Sequence, residues 1–131
     1  LMQVTSAAAA EMGIRNRLNP KQSIKAGIKY LEKMVRKFDY LEDEYEQLLF
    51  GLASYNVGYG HVKDAMEIAK NLGLDETRWQ NIKTTLPLLS KSKYYKKTKY
   101  GYARGWEPVH YVKRVLTYYD ILKQKQLDLD D

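Results

Sequence analysis

The chain has 131 residues, a length typical of one domain, and it is rich in tyrosine, with 12 of them. It contains no cysteine, which excludes disulfides and thiolate metal sites. The formal net charge is +6, and between Arg78 and Arg114 the basic residues face Glu107 alone. A basic half of this kind indicates an anionic partner: nucleic acid, a membrane surface or a carboxylate-bearing polymer. No apolar run in the sequence is long enough to span a bilayer.

The first part of the chain is predicted to form two helices. A short one is expected over residues 7–12, and a longer one begins at Asn19-Pro20, because proline suits the first helical position. The apolar residues of the longer helix recur at three- and four-residue spacing and are Ile24, Ile28, Leu31, Val35 and Phe38. Gly27 lies within the same helix and predicts a close crossing by another helix.

The acidic run 42–46 predicts the start of the next helix, because negative charge stabilises the N-terminal end of a helix dipole. Its expected core residues are Leu48, Leu49, Leu52 and Ala53. A further helix from Val62 to Leu72 ends at Gly73, and Asp75 is a candidate cap for the helix after it.

Residues 88–105 have no steady period but carry many tyrosines and lysines, so we expect an ordered loop there. The last helix begins at Glu107 or Pro108, and its expected inward residues are Val112, Val115, Leu116, Tyr119 and Leu122. No strand alternation is visible, and the sequence therefore predicts an all-α domain.

The stretch Ala53-Ser54-Tyr55-Asn56-Val57-Gly58-Tyr59-Gly60 lies between two predicted helices. Glycine disfavours a helix by about 1 kcal/mol relative to alanine, so Gly58 and Gly60 indicate a tight turn or a close approach. Two interpretations are open from the residues alone. The stretch is a corner between helices with Asn56 as its C-cap, or Tyr55 and Asn56 form the rim of a polar-ligand site.

Other candidate chemistry is sparse. His61 and His110 lack partners at metal-ligand spacing, and Ser54 has no evident base, so neither a metal nor a cofactor is predicted. The basic, aromatic region 91–114 either stacks bases and neutralises phosphates or is a solvated lysine-rich loop whose tyrosines pack on the core. Glu107 either orients a charged ligand or serves as a helix cap or ion-pair partner of Arg104.

Four motifs in order resemble the lytic transglycosylases, enzymes that act on peptidoglycan. The motifs are Leu1-Met2-Gln3, the helix from Asn19-Pro20 to Tyr30-Leu31, the stretch Ala53 to Gly60 with Val62, and Glu107 with Tyr111-Val112. Residues 100–105, Tyr-Gly-Tyr-Ala-Arg-Gly, further resemble the membrane-bound lytic murein transglycosylase F branch of that family.

The resemblance implies a goose-lysozyme-like all-α fold and cleavage of the β-1,4 bond between N-acetylmuramic acid and N-acetylglucosamine. In that reaction no water is added and a 1,6-anhydro sugar is left. One glutamate protonates the leaving oxygen and then accepts the proton of the muramoyl 6-hydroxyl. In the family this residue lies shortly before the Leu-Met-Gln motif. We therefore expect it upstream of Leu1, in an N-terminally truncated chain whose residues 1–126 form the C-terminal part of the catalytic domain and whose residues 127–131 form an acidic tail.

The resemblance also implies which residues contact the glycan. They are Met2, Gln3, Tyr55, Asn56, Gly58, Tyr102, Glu107 and Tyr111. Tyr55 and Asn56 would flank the cleavage point and support catalysis, whereas Glu107 and Tyr111 would form the opposite wall.

The implied partners are peptidoglycan glycan strands and the N-terminal remainder of the same protein, for which a solute-binding-like domain is the candidate. The implied location is the bacterial cell envelope, in the periplasm, with outer-membrane association through that remainder. Two alternatives stay open: a non-catalytic peptidoglycan-binding module of the same fold and, less favoured, a basic helical nucleic-acid-binding domain. Nucleic acid is not expected as a partner.

Overall fold

The computed structural model describes residues 20–130. Over this range the chain forms helices and no strand, which confirms the all-α prediction. The helices are α1 (Pro20–Arg36), α2 (Glu44–Val57), α3 (Tyr59–Asn71), α4 (Trp79–Thr85), a 3₁₀ helix (Leu86–Ser90), α5 (Ser92–Tyr95) and α6 (Trp106–Asp130). The helix predicted over 7–12 lies outside the described residues.

The buried face of α1 differs from the predicted one. Ala26, Gly27 and Met34 are buried, whereas Ile24 and Ile28 are 55% and 44% exposed. The prediction that these two isoleucines face the core is therefore wrong. Both stripes have helical spacing, so periodicity alone does not choose between them. Two residues of the buried face, Ala26 and Gly27, are small, which allows a neighbouring helix to approach closely.

Helices α1 and α2 approach each other closely at Gly51. A Cβ added there would lie 2.8 Å from the Cα of Val35, so any larger residue would push the helices apart. The glycine that permits this approach is in α2; Gly27 of α1 is buried, and the close crossing predicted there stays a prediction. Beyond the crossing, the predicted core residue Phe38 is fully buried, and its ring lies 5.3 Å from that of Phe50.

Helix α2 begins as its acidic sequence predicts. The carboxylate of Asp43, its N-cap residue, accepts a hydrogen bond from the N–H of Tyr45 at 2.8 Å. Three of its four predicted core residues, Leu49, Leu52 and Ala53, are buried. The fourth, Leu48, is 37% exposed, so that prediction is wrong.

Helix α3 supplies much of the core, through Val62, Ala65, Met66, Ile68 and Ala69. It ends one residue before Leu72, which is 54% exposed, contrary to the prediction for that residue. Gly73 follows with a φ of 78°, a left-handed conformation that glycine adopts without strain.

The N-terminus of α4 is capped from another helix. The sequence predicted Asp75 as its cap, and this prediction is wrong. The Asp75 carboxylate accepts hydrogen bonds from the N–H and the hydroxyl of Thr77 at 2.9 and 2.6 Å. The first amide of α4, that of Trp79, donates instead to Glu46 of α2 at 2.8 Å. The acceptor comes from tertiary packing, which the local sequence does not reveal.

The connection from α4 to α6 is ordered against the core. The N–H of Ala103 donates to the carbonyl of Leu89 at 3.1 Å. A Cβ added to Gly105 would overlap the carbonyl oxygen of Leu86 and lie 3.0 Å from the nitrogen of Pro87. This close approach fixes the chain just before the last helix.

Helix α6 begins at Trp106, within two residues of the predicted start. Val112 is buried as predicted, but Tyr119 and Leu122 are 59% and 47% exposed, so their predicted inward placement is wrong. Every residue of α6 from 117 to 130 is exposed, so this part of the helix has no buried face. The helix continues to Asp130, so residues 127–130 of the predicted tail are helical. The domain boundary at residue 126 stays a prediction.

Candidate functional site

The corner between α2 and α3 is formed by a single glycine. Gly58 has a φ of 105°, which residues with a Cβ rarely adopt, and its N–H donates to the carbonyl of Ser54 at 2.9 Å. Gly58 is therefore the residue that caps α2, and Asn56 lies exposed in the last helical turn. The amide of Asn56 is thus presented to solvent beside Tyr55 instead of being used as a cap.

Three tyrosines from three helices meet beside this corner. The rings of Tyr55 and Tyr111 are stacked, with centroids 6.2 Å apart and planes inclined by 13°. The ring of Tyr30, from α1, lies 5.8 Å from that of Tyr55. We call these three residues the tyrosine cluster. It joins two of the predicted site residues, which are distant in sequence.

The phenols of Tyr55 and Tyr111 keep their protons well beyond neutral pH. Burial raises the pKa of the Tyr55 phenol above its ordinary value of 10.0, and the neighbouring phenols of Tyr111 and Tyr30 raise it further. Burial also raises the pKa of Tyr111, an effect that the nearby Arg114 opposes. Both hydroxyls are therefore neutral groups that can donate as well as accept hydrogen bonds.

Glu107 lies one helical turn before Tyr111 on α6, at a spacing that places both on the same side of the helix. Its carboxylate is half-exposed and lies 3.3 Å from the guanidinium of Arg104. The sequence left an ion pair with Arg104 open as a role for Glu107, and the structure contains that pair. An exposed ion pair of this kind contributes at most about 1 kcal/mol to stability.

The second glycine of the corner makes room for an aromatic ring. A Cβ added to Gly60 would lie 2.7 to 2.9 Å from ring atoms of Tyr100. The backbone N–H of Tyr100 donates to the buried carboxylate of Asp64 at 2.9 Å, which holds this residue against α3. Gly60 therefore allows a side chain, Tyr100, to pack on the corner.

Tyr102 is on the exposed side of the connection. It is 54% exposed, and its ring meets that of Tyr95 at 5.6 Å in an edge-to-face arrangement. Among residues 20–130, no ring contact joins it to the tyrosine cluster. Its predicted role in glycan binding stays a prediction, as do the roles of Met2 and Gln3, which lie outside the described residues.

The tyrosines of the basic, aromatic region differ in burial. Tyr94 packs partly buried against the core, whereas Tyr100 is 53% exposed. The ammonium groups of Lys93 and Lys99 lie over these two rings, 5.7 and 5.4 Å from the centroids of Tyr94 and Tyr100. In the part of the chain that the structure describes, no group of three or more histidine, aspartate or glutamate side chains could hold a metal ion.

The site thus combines flat aromatic faces with neutral hydroxyls, an exposed amide and an exposed carboxylate. Aromatic rings with a polar edge bind the apolar faces of polar ligands, and amide and carboxylate groups fix their hydroxyls. A chain of sugar rings has both kinds of surface.

Comparison with known proteins gives the family. The model of the transglycosylase SLT domain matches residues 1–77, which include α1, α2 and the corner at Gly58. The chain belongs to the transglycosylase SLT domain family. The part of the chain that the structure describes contains no helix that is both long and apolar enough to cross a membrane.

Relatives of this SLT domain share most of its length. It is 57% identical over 126 residues to the membrane-bound lytic murein transglycosylase F of Desulfosudis oleivorans, a match that covers 96% of this chain and 28% of the relative. The proteins of the same name from Shewanella loihica and Shewanella sediminis are 50% and 48% identical, over 93% and 100% of this chain. The chain spans about a quarter of the length of these relatives, 28%, 26% and 28% of them.

Sequence reasoning missed two contributors to the site. Tyr30 was noted as part of a motif but not as a site residue, although it lies four residues after Ala26 and four before Met34, both buried. That spacing is the signal that could have placed it on the inner face. Tyr100 carried no such signal, because its position depends on the hydrogen bond to Asp64.

Proposed function

We propose that this domain belongs to a peptidoglycan lytic transglycosylase. The reaction is non-hydrolytic cleavage of the bond between N-acetylmuramic acid and N-acetylglucosamine, giving 1,6-anhydromuramoyl products. The observation that carries the proposal is the stacking of Tyr55 on Tyr111, because it brings together two motifs, at the end of α2 and the start of α6, that both resemble those of the family. The names of the relatives, lytic murein transglycosylases, support the same substrate.

In this proposal the neutral phenol of Tyr55 and the exposed amide of Asn56 flank the cleavage point and hold the sugar's polar substituents. Glu107 and Tyr111, one turn apart on α6, line the other wall. Gly58 supports the site by turning the chain without a side chain at the corner. Tyr102, Met2 and Gln3 are proposed as further glycan contacts.

The general acid and base is proposed to be a glutamate located before the Leu1-Met2-Gln3 motif, as in the family. Glu107 is not suited to that role. A carboxyl that must hold a proton near neutral pH is usually shielded from water, whereas Glu107 is half-exposed and paired with Arg104. Its proposed role is to orient the glycan.

The name of these relatives, membrane-bound lytic murein transglycosylase F, supports a location in the cell envelope. We propose that the protein acts in the periplasm and is attached to the outer membrane by a part other than residues 20–130. Because the relatives are much longer than this chain, an N-terminal solute-binding-like domain is the proposed neighbour in the same protein.

The test is digestion of purified murein sacculi by the full-length protein, with separation of the products by liquid chromatography and mass spectrometry. Release of muropeptides with 1,6-anhydro ends is the expected result, and hydrolytic products would contradict the proposed reaction. Retention on sacculi without any release would indicate a glycan-binding module instead. The 131-residue chain alone is expected to release nothing, and release at the full-length rate would contradict the placement of the acid.

A further inference from the structure

Helix α1 contributes one ring to the tyrosine cluster, that of Tyr30. Its centroid lies 5.8 Å from that of Tyr55, and the two ring planes are inclined by 59°. Both side chains are partly buried, so the pair lies at the edge of the core. Tyr30 is not among the glycan contacts that the family motifs imply, and these motifs therefore do not explain its position.

The close approach of the helices at Gly51 sets the position of Tyr30 relative to Tyr55. Val35 of α1 lies against Gly51 of α2, and Tyr30 lies against Tyr55. From the first contact to the second, the chain moves five residues back along α1 and four residues forward along α2, so the two helices run antiparallel. At roughly 1.5 Å per residue these steps measure about 7.5 and 6 Å, which keeps the two contacts in register. The spacing of the helices at Gly51 therefore also determines how closely the two rings meet.

Two rings from two other helices restrict the ring of Tyr55. Tyr111 of α6 stacks on it with planes inclined by 13°, whereas Tyr30 of α1 meets it at 59°. A side chain on a helix has only a few staggered orientations, and contacts with two differently inclined rings favour one of them.

The hydroxyl of Tyr30 is also close to that of Tyr55. Burial is the largest cause of the raised pKa of the Tyr55 phenol, and the phenols of Tyr111 and Tyr30 raise this pKa further. A charge on one hydroxyl would therefore be felt at the other. The ring contact and this electrostatic effect both place Tyr30 beside the functional end of Tyr55.

We propose that Tyr30 is a positioning residue: its ring, held in place by the approach of α1 to α2, fixes the orientation of Tyr55 at the cleavage point. The inference rests on the proposed function, in which the Tyr55 hydroxyl flanks the bond that is cleaved. Misplacement of a group at a reacting bond by about 1 Å can lower a rate about a hundred-fold, so loss of the ring at position 30 should be visible in the rate. Tyr30 acts through its ring, because the ring makes the contact with Tyr55.

The first test is steady-state cleavage of peptide-free glycan strands by the full-length protein. Tyr30→Leu removes the ring, and we expect kcat to fall at least ten-fold while KM changes less than two-fold, because Tyr30 does not contact the glycan in this proposal. Tyr30→Phe keeps the ring and should keep kcat within two-fold of that of the unmodified protein.

Tyr40→Leu is the matched control. Tyr40 also lies beside an aromatic ring, that of Phe38 at 6.3 Å, but it is outside the tyrosine cluster. We expect its kcat and KM to stay within two-fold of those of the unmodified protein. An equal loss of kcat in Tyr40→Leu and Tyr30→Leu would overturn the proposal, because it would show a general effect of losing a ring.

Three other results would overturn the proposal. A rise in KM for both Tyr30→Phe and Tyr30→Leu would show that the hydroxyl contacts the glycan. An unchanged kcat in Tyr30→Leu would show that the ring is not needed. A loss of kcat that only follows the folded fraction, measured by circular dichroism at the assay temperature, would assign Tyr30 to stability alone.

The second test observes Tyr55 directly and needs no cleavage. In crystal structures of the full-length variants, we expect the Tyr55 ring of Tyr30→Phe to lie within about 0.5 Å of its place in the unmodified protein, the tolerance of a preorganised site. In Tyr30→Leu we expect the Tyr55 ring to adopt a second orientation. A Tyr55 ring that keeps its place in Tyr30→Leu would overturn the proposal.

The two tests separate this inference from the proposed function. Unmodified protein that cleaves no glycan would refute the proposed function, and the crystal structures would still decide whether Tyr30 positions Tyr55. Protein that cleaves glycan, with both kcat and the Tyr55 ring unchanged in Tyr30→Leu, would refute the inference and leave the function standing.

Discussion

The phenol ring of Tyr55, at the end of α2, stacks on that of Tyr111, in the second turn of α6, with centroids 6.2 Å apart. The contact joins two helices that carry different sequence motifs. The Tyr55 ring is partly buried and Tyr111 is a buried core residue, so the contact is part of the packing of the fold.

The packing of the Tyr55 ring and the proposed role of its hydroxyl in the reaction are separable by substitution. Tyr55→Phe keeps the ring, so we expect a change in the free energy of unfolding of less than about 1 kcal/mol, whereas Tyr55→Ala should cost about 2 to 3 kcal/mol. Release of anhydro products should fall at least ten-fold in both variants, because both lack the hydroxyl. Urea unfolding and product release measure these effects. Unchanged release by Tyr55→Phe would show that the hydroxyl has no part in the reaction.

Stability should decline at alkaline pH in a way that depends on the tyrosine cluster. The pKa values of Tyr55 and Tyr111 are raised in the folded chain, so the unfolded chain loses these protons first as the pH rises. Their contribution is therefore complete below pH 10.0, the ordinary value, and is lost above it. Thermal unfolding from pH 8 to pH 11 should show a smaller decline for Tyr55→Phe. Tyr118→Phe, at an exposed position on the same helix, is the control and should decline like the unmodified protein.

The effect of Gly60→Ala on the free energy of unfolding should change sign with the residue at position 100. In the unmodified protein the added methyl meets the Tyr100 ring, and moving that ring should cost more than the gain in helix propensity of about 1 kcal/mol. In a Tyr100→Ala background the ring is absent, and Gly60→Ala should stabilise the fold. A double-mutant cycle by urea unfolding measures the coupling. Equal effects of Gly60→Ala in both backgrounds would contradict the packing of Tyr100 on the corner.

Gly51→Ala should destabilise the fold by about 1 to 3 kcal/mol, because the added methyl meets backbone atoms of Val35 and forces α1 away from α2. Val35→Ala should not restore stability, since the Cα and backbone nitrogen of residue 35 remain within 2.8 and 2.9 Å of the new methyl. Rescue by Val35→Ala would show that the helices are held apart by the side chain alone. The measurement is again urea unfolding of the single and double variants.

Glu107→Gln should affect glycan binding more than stability. Its pair with Arg104 is half-exposed, so unfolding should change by no more than about 1 kcal/mol. Binding of peptide-free glycan strands should weaken several-fold, because an amide accepts hydrogen bonds from sugar hydroxyls less strongly than a carboxylate. Arg104→Gln is the matched control: it breaks the same ion pair but leaves the carboxylate. Equal weakening by both variants would indicate that the pair, and not the carboxylate, supports binding.

The sequence was sufficient where a single residue decides a local structure. Pro20 begins α1, the acidic run 42–46 contains the start of α2, and Gly73 follows the end of α3, because ring closure, charge near a helix N-terminus and a positive φ act within one turn. At the corner the sequence predicted the turn but named Asn56 as the possible C-cap, whereas Gly58 caps α2.

The sequence was insufficient where the position of a residue depends on a partner that is distant in the chain. Ile24 fits a helical stripe as well as Met34 does, and only the packing of α1 on α2 decides between the two faces. The cap of α4 comes from Glu46, and the position of Tyr100 comes from Asp64, neither of which is near its partner in the chain. Tyr55 and Tyr111 were predicted through family motifs; the residues alone gave no reason to pair them.

The close approach of Gly105 to the carbonyl of Leu86 has a consequence for motion. The segment just before α6 is held to the buried residues Leu86 and Leu89, and the N–H of Ala103 donates to the carbonyl of Leu89. Deuterium exchange at that amide should therefore require an opening nearly as costly as global unfolding. The segment that leads into Glu107 is therefore preformed, and in the proposed function a glycan strand would meet a wall whose shape was set when the chain folded.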